Sequence, residues 1–177
     1  EVTMQNHGGY SRDYEGFEPT VELMQFPEKT AQIRATEKYL TLIQKSDEAF
    51  AELIDYFENQ EEKTVILMFG DHQPSDYVTN PLLTLNGIDR ESSLEEYQKG
   101  YVVPFVIWAN YEMEEETIDK ISVNYLSGFL LEKADVPMND YQIYLSRLRE
   151  KIPVITSGVM IDQEGGYHTL QEEVLTE

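Results

Sequence analysis

The sequence predicts an α/β fold, because two short apolar runs typical of buried strands are interspersed with segments of helical periodicity. The runs are residues 64–69 and residues 101–109. Strands that are apolar on both faces are typical of parallel sheets, so a mostly parallel sheet flanked by helices is expected. The chain has 177 residues, which is the size of one domain that can bury a sizeable core.

The first half of the chain gives one strong helix signal and a long connection. Apolar side chains recur at three- and four-residue steps over residues 29–59, which predicts one amphipathic helix or two nearly collinear ones. Residues 75–100 are polar and contain Asn-Pro and Asn-Gly pairs, so they are interpreted as a connection with a short helix at 93–99. Pro104 lacks a donor and places the second strand at an edge or a bulge.

The second half is predicted to hold two helices, over residues 123–134 and 140–151. Residues 158–169 alternate around a turn at 163–166, which predicts a carboxy-terminal β-hairpin. Neither an internal repeat nor a linker divides the chain, so a single domain over residues 1–177 is expected.

Composition limits the classes of function. Thirteen basic against 34 acidic residues give a net charge of −21, which disfavours binding to nucleic acid or to an anionic membrane surface. The absence of cysteine excludes thiolate metal sites and disulfides, and it is compatible with either an exported or a cytosolic protein. No apolar run of about 18 residues occurs in the chain, so it contains no predicted membrane span.

Asp71 and His72 are the strongest candidate site residues. They follow directly after the apolar run at 64–69, and the carboxyl end of a strand is where open α/β sheets bind ligands. A carboxylate beside an imidazole suits zinc, manganese or a similar divalent ion. The alternative is that both side chains only cap the turn after the strand.

Three segments carry a resemblance to a known family. The sequence FGDHQP at 69–74 resembles the metal-binding motif of the alkaline phosphatase and sulfatase superfamily, in its lipoteichoic acid synthase-like branch. The sequence MQNHGGY at 4–10 is similar to the segment that places a histidine beside the substrate phosphate, and residues 39–60 resemble the helix that precedes the Asp-His strand. The likeness spans about residues 2–170.

The resemblance implies roles for three residues of this chain. Asp71 and His72 would bind a divalent metal, with manganese favoured and zinc, calcium or magnesium as alternatives. His7 would bind the substrate. The family's nucleophilic threonine and a further metal-binding carboxylate belong to an amino-terminal half that is expected before Glu1. The chain is therefore interpreted as the carboxy-terminal portion of a larger sulfatase-like catalytic domain, inactive alone.

The implied activity is transfer of phosphoglycerol from a lipid, or hydrolysis of another phosphate or sulfate ester, in the cell envelope of a Gram-positive bacterium. The full-length protein is expected in the cell membrane, with an upstream anchor and an extracellular catalytic domain. Two alternatives stay open. One is a non-catalytic acidic interaction domain with the same fold, and the other is a self-contained phosphatase or mutase that uses Asp71 as nucleophile.

The remaining candidates are given structural roles. His168 lies in the predicted hairpin and is expected to be simply exposed, whereas Tyr101 and Trp108 are expected in the core rather than in a sugar-stacking platform. The acidic clusters at 58–62 and 112–116 lack the spacing of a calcium loop and are interpreted as solvated surface.

Overall fold

A computed structural model describes residues 2–13 and 15–169, so the end of the family likeness at residue 170 lies outside it. The helices are α1 (Ala31–Glu58), α2 (Asp76–Leu85), α3 (Leu94–Gln98), a 3-10 turn (Lys99–Tyr101), α4 (Val123–Lys133) and α5 (Asp140–Lys151). The strands are β1 (Val65–Phe69), β2 (Phe105–Ala109), β3 (Val154–Ile155), β4 (Val159–Ile161) and β5 (Tyr167–Thr169). This alternation confirms the α/β class.

The strand directions differ from the expected mostly parallel sheet. In the described residues, β1 pairs with β2 and β3–β4–β5 form a second sheet, and every pair is antiparallel. The β1–β2 register places Phe69 opposite Phe105 and Val65 opposite Ala109. An apolar run shows that a strand is covered, but it does not specify whether its neighbour runs parallel or antiparallel.

Pro104 sets the start of β2. Its carbonyl accepts a hydrogen bond from the Gly70 amide at 3.1 Å, and the strand begins at the next residue. Residues 101–104 therefore precede the strand that was predicted to include them. Tyr101 ends the 3-10 turn and is exposed, so its expected place in the core is wrong, whereas Trp108 is half-buried in β2.

Helix α1 is one continuous helix rather than two. Thr30 caps its amino terminus, because its hydroxyl accepts a hydrogen bond from the Ile33 amide at 3.2 Å. The buried positions lie between Ile33 and Thr41, in the first half of the helix, whereas the second half is largely solvated. The amino-terminal part of α1 is therefore the part that carries tertiary contacts.

Helix α2 lies within the segment that was predicted to be a polar connection. The Asn80-Pro81 pair was interpreted as a turn, yet Pro81 is buried inside the helix. A proline inside a helix lacks the N–H that would bond to the preceding turn, and its ring crowds that turn, so the helix forms here against the local preference. Thr36 of α1 is fully buried and donates to the Val78 carbonyl of α2 at 2.8 Å.

The carboxy-terminal elements agree closely with the sequence prediction. Asn139 and Gln142 form a capping box at the start of α5. The buried Tyr125 of α4 donates to the Ile152 carbonyl at 2.9 Å. Strands β4 and β5 form the predicted hairpin, and β3 adds a third strand to it.

Asn110 joins the far ends of three elements. Its side-chain oxygen accepts from the Thr64 amide at 2.8 Å, and its backbone amide donates to the Thr64 carbonyl at 3.1 Å. Its side-chain nitrogen lies within 2.9–3.2 Å of the carbonyls of Phe57, Gln60 and Glu62. One amide thus ties the end of α1 to the start of β1 and the end of β2.

Candidate functional site

The loop after β1 is fixed at its first residue by close backbone packing. A Cβ atom built at Gly70 would lie 3.0 Å from the Cβ of Val103, closer than side chains ordinarily pack. Glycine at this position allows β1 and the residues before β2 to approach each other. The next two residues, Asp71 and His72, leave the sheet at the end of that contact.

Asp71 and His72 lie together and face solvent. The Oδ2 atom of Asp71 is 3.6 Å from Nε2 of His72, and the two side chains are 79% and 70% exposed. The Asp71 Oδ1 atom accepts from the His72 backbone amide at 2.9 Å. Nδ1 of His72 lies 2.7 Å from the Gln73 carbonyl, which can only accept, so Nδ1 carries a hydrogen; in the neutral ring it is then Nε2 that presents the lone pair.

Gln73 holds this loop against the segment before β2. Its side-chain nitrogen donates to the carbonyls of Lys99 and Val102, each at 2.8 Å. Together with the contact between Gly70 and Pro104, these bonds attach the loop along residues 99–104. No motif in the sequence marks Gln73 as the residue that does this, because its partners are backbone carbonyls distant in the chain.

His7 lies in a turn that packs on α1. Its backbone amide donates to the Met4 carbonyl at 3.1 Å, and Gly8 and Gly9 have φ angles of 67° and 78°. Such backbone angles favour glycine and turn the chain sharply after the histidine. The turn is anchored by Tyr10, which is buried and donates from its hydroxyl to the Asn6 carbonyl.

The His7 turn packs into the same core as α2. Tyr10, Ala35 of α1 and Val78 of α2 form one buried cluster, so the turn and α2 lie against the same part of α1. No hydrogen bond or ion pair within residues 2–13 and 15–169 links His7 to Asp71 or His72. The structure therefore brings Asp71 and His72 together, and the substrate-binding role of His7 stays a prediction.

Asp71 and His72 provide two ligand atoms of the kinds found in divalent-metal sites. A carboxylate oxygen and the Nε2 atom of the imidazole lie side by side on an open surface, and both are atom types that bind manganese or zinc. Across the residues that the structure describes, no group of three or more His, Cys, Asp or Glu side chains could hold an ion.

A second Asp-His pair lies in the terminal hairpin. Nε2 of His168 is 2.6 Å from Oδ2 of Asp162, and the two side chains are only 30% and 26% exposed, so the expectation that His168 is simply exposed is wrong. The hydrogen bond to His168, followed by that from the Gly166 amide, lowers the pKa of Asp162. The Asp162 carboxylate also accepts from the Glu164 amide, so its hydrogen bonds to two backbone amides stabilise the turn at 163–166.

The architecture and the comparisons together define the class of this chain as an alkaline phosphatase-like α/β domain. The model of the Sulfatase family matches residues 2–136, well over half of the chain, and the chain belongs to that family. The resemblance identified from the motifs at 4–10 and 69–74 is thereby confirmed.

Two similar proteins illustrate the relationship. A putative cyclic beta-1,2-glucan modification protein of Rhizobium meliloti (strain 1021) is 25% identical over 167 residues, which are 93% of this chain and 26% of that protein. The structure of the Streptococcus pyogenes phosphoglycerol transferase GacH, in complex with sn-glycerol-1-phosphate, matches with a TM-score of 0.55 and 16% identity. That match covers 74% of this chain and 31% of GacH. The chain thus spans about a quarter to a third of each relative's length.

Proposed function

We propose that this chain is the carboxy-terminal portion of the catalytic domain of a metal-dependent, sulfatase-like enzyme. The enzyme would transfer phosphoglycerol or hydrolyse another phosphate or sulfate ester in the cell envelope. The observation that carries the proposal is the Asp71–His72 pair, whose carboxylate and Nε2 lone pair lie side by side at the end of a strand. Membership of the Sulfatase family and the fold shared with GacH support it.

Asp71 and His72 would hold the divalent ion, manganese in the first instance, with zinc, calcium or magnesium as alternatives. Such an ion lowers the pKa of a nucleophilic hydroxyl and stabilises charge on the group being transferred. The Gln73 carbonyl would keep the His72 ring in the tautomer that can bind a metal. His7 would hydrogen-bond the phosphoryl oxygens or protonate the leaving alkoxide.

The nucleophile and the other metal ligands would lie in the amino-terminal half of the same domain. Two ligands seldom hold a divalent ion tightly, because typical sites use three or four. The partial coverage of both relatives is consistent with a longer enzyme. The 177-residue chain alone is accordingly expected to have little or no esterase activity.

The acceptor for the transferred group would be a glycan. The relative described as a glucan modification protein supports this choice, since it matches over nearly the whole chain. The net charge of −21 also favours a neutral acceptor over a polyanion. Within the described residues no helix is both long and apolar enough to cross a bilayer.

The test compares Asp71→Ala and His72→Gln in the full-length enzyme with the unchanged protein. Turnover of a phosphodiester substrate is expected to fall at least about 100-fold, since a bound metal contributes several kcal/mol of charge stabilisation. Calorimetric titration with Mn²⁺ should show the same variants losing affinity. The matched control is Asp162→Asn, which alters the other Asp-His pair and should preserve turnover.

Full turnover by Asp71→Ala would refute the proposed site. A full-length protein that neither binds Mn²⁺ nor turns over phosphate or sulfate esters would favour the alternative, a non-catalytic acidic interaction domain. Activity of the 177-residue chain alone that disappears in Asp71→Ala would show that this chain holds a complete site.

A further inference from the structure

A pair of exposed tyrosines lies on the segment to which Gln73 attaches the loop of residues 70–73. We refer to this loop as the metal-site loop, after its proposed role. Tyr97 of α3 and Tyr101 of the 3-10 turn are 41% and 52% exposed. Their ring centres are 5.3 Å apart, with the rings tilted by 56°, and their hydroxyls share a hydrogen bond of 2.7 Å. The two rings thus form one surface of fixed shape, and we refer to it as the tyrosine pair.

The tyrosine pair is connected directly to the candidate site. The two carbonyls that accept from Gln73 belong to Lys99 and Val102, the residues on either side of Gly100 and Tyr101. Gln73 is itself the residue after His72. Three consecutive positions of one loop therefore provide a metal ligand pair and the attachment point of the tyrosine pair.

Arg90 supports the same segment from another direction. A Cβ atom at Gly100 would lie 2.8 Å from Nη1 of Arg90, so the guanidinium packs directly against the backbone beside Tyr101. Nη2 of Arg90 also forms an ion pair of 2.7 Å with Asp76, at the start of α2. The hydrogen bond with Tyr97, followed by burial, raises the pKa of Tyr101.

The exposed aromatic surface is not explained by packing within the described residues. Both side chains have two exposed features, an apolar ring and a polar hydroxyl, and such rings bind ligands that are themselves apolar on one face and hydrogen-bonding at the edge. A pyranose ring has this character, because its C–H bonds present an apolar face and its hydroxyls form the rim. The two cations of this segment, Arg90 and Lys99, form ion pairs with Asp76 and Glu96, so neither is left unpaired within the described residues to attract an anion.

We propose that the tyrosine pair binds a sugar ring of the neutral glycan acceptor and holds that acceptor beside the Asp71–His72 loop. This inference rests on the proposed function, because it assigns the acceptor subsite of that same site. Tyr97 and Tyr101 determine the specificity for the acceptor in this subsite. The hydrogen bonds of Gln73 fix the position of the bound glycan relative to Asp71 and His72.

The experiment uses the full-length enzyme with a neutral β-glucan oligosaccharide. Two quantities are measured for each variant: binding of the oligosaccharide by saturation-transfer NMR, and kinetics with the oligosaccharide as acceptor or with water as acceptor on a small phosphodiester. In Tyr101→Ala the KM for the oligosaccharide should rise about 2- to 12-fold, the range of a lost aromatic contact of about 0.5–1.5 kcal/mol. Hydrolysis of the small phosphodiester should be unchanged.

Two further variants separate stacking from structural damage. Tyr101→Phe keeps the ring and should retain most of the oligosaccharide binding. Tyr141→Ala removes an exposed tyrosine on α5, far along the chain, and should change neither quantity. The double variant of Tyr97 and Tyr101 to alanine should lose the saturation-transfer signal at the acceptor concentration used for the unchanged enzyme.

Each outcome has a defined meaning. Unchanged oligosaccharide binding and KM in Tyr101→Ala, with hydrolysis intact, would overturn the inference and leave the proposed function standing. Absence of any oligosaccharide binding by the unchanged enzyme would overturn it as well. Oligosaccharide binding that is lost in Tyr101→Ala, in an enzyme that turns over no ester, would support the tyrosine pair and refute the proposed function.

Discussion

Replacing Gln73 by leucine should release the metal-site loop while leaving the fold intact. Leucine has a similar size but no amide, so the two hydrogen bonds to the Lys99 and Val102 carbonyls are lost together. Each bond is 2.8 Å long; one is partly buried and the other is exposed. Hydrogen bonds of this kind contribute about 0.5–1.5 kcal/mol each, which gives about 1–3 kcal/mol for the pair.

That free energy corresponds to about a 5- to 150-fold shift in the ratio of the attached to the released loop. Amide hydrogen exchange at residues 70–73 should therefore accelerate by a similar factor in Gln73→Leu. Mn²⁺ affinity of the full-length enzyme should fall by about 10-fold, at the lower end of the effect of residues that orient metal ligands. Exchange in α5 should be unchanged, which shows that the whole domain has not been destabilised.

Asn86→Leu is the matched control for this measurement. The Asn86 side-chain amide also donates to a backbone carbonyl, that of Leu82 at 2.7 Å, but it does so at the far end of α2. It should affect neither loop exchange nor Mn²⁺ affinity. If Gln73→Leu left both quantities within about 2-fold of the unchanged protein, the role assigned to Gln73 from hydrogen-bond energies would be refuted.

Two further predictions concern stability. Thr36→Val should lower the free energy of unfolding by about 1–3 kcal/mol, because it removes a buried hydrogen bond to the Val78 carbonyl. The control Thr64→Val removes an exposed hydrogen bond and should change the free energy of unfolding by less than about 0.5 kcal/mol. Urea denaturation measures both values, and equal losses would contradict the prediction. The pKa of Asp162 is lowered from 3.8, mainly by its hydrogen bond with His168, so the contribution of Asp162 to stability is present above pH 3.8 and is lost as the pH falls through the lowered pKa. Hydrogen exchange of the hairpin amides should show this loss in the unchanged protein. An identical acid profile in Asp162→Asn would refute the prediction.

The sequence was sufficient to predict the elements whose pattern is local. Helix α5 has a capping box and α1 has regular apolar spacing, and both lie within a residue or two of their predicted bounds. The hairpin of β4 and β5 was recognisable from its alternation and its turn. The adjacency of Asp71 and His72 follows from the chain itself, so their proximity needed no tertiary information.

The features that were missed depend on contacts between distant residues. Pro81 argued against a helix locally, but burial of α2 against α1 outweighs the lost hydrogen bond. The pairing direction of β1 and β2 is set by how the long connection returns, which an apolar run does not encode. The roles of Gln73 and Tyr101 depend on the same return of the chain, so no motif could reveal them.

Asn110 affects how precisely Asp71 and His72, the proposed metal ligands, are placed. It lies at the end of the β1–β2 ladder opposite to Asp71, and it contacts Thr64 through both its backbone and its side chain. A slip of one residue in this ladder would displace the Asp71 loop by about 3.3 Å and turn every strand side chain to the other face. By fixing the register of β1 and β2, the Asn110 side chain therefore determines where the Asp71 carboxylate and the His72 imidazole lie, although it is separated from them by the five residues of β1.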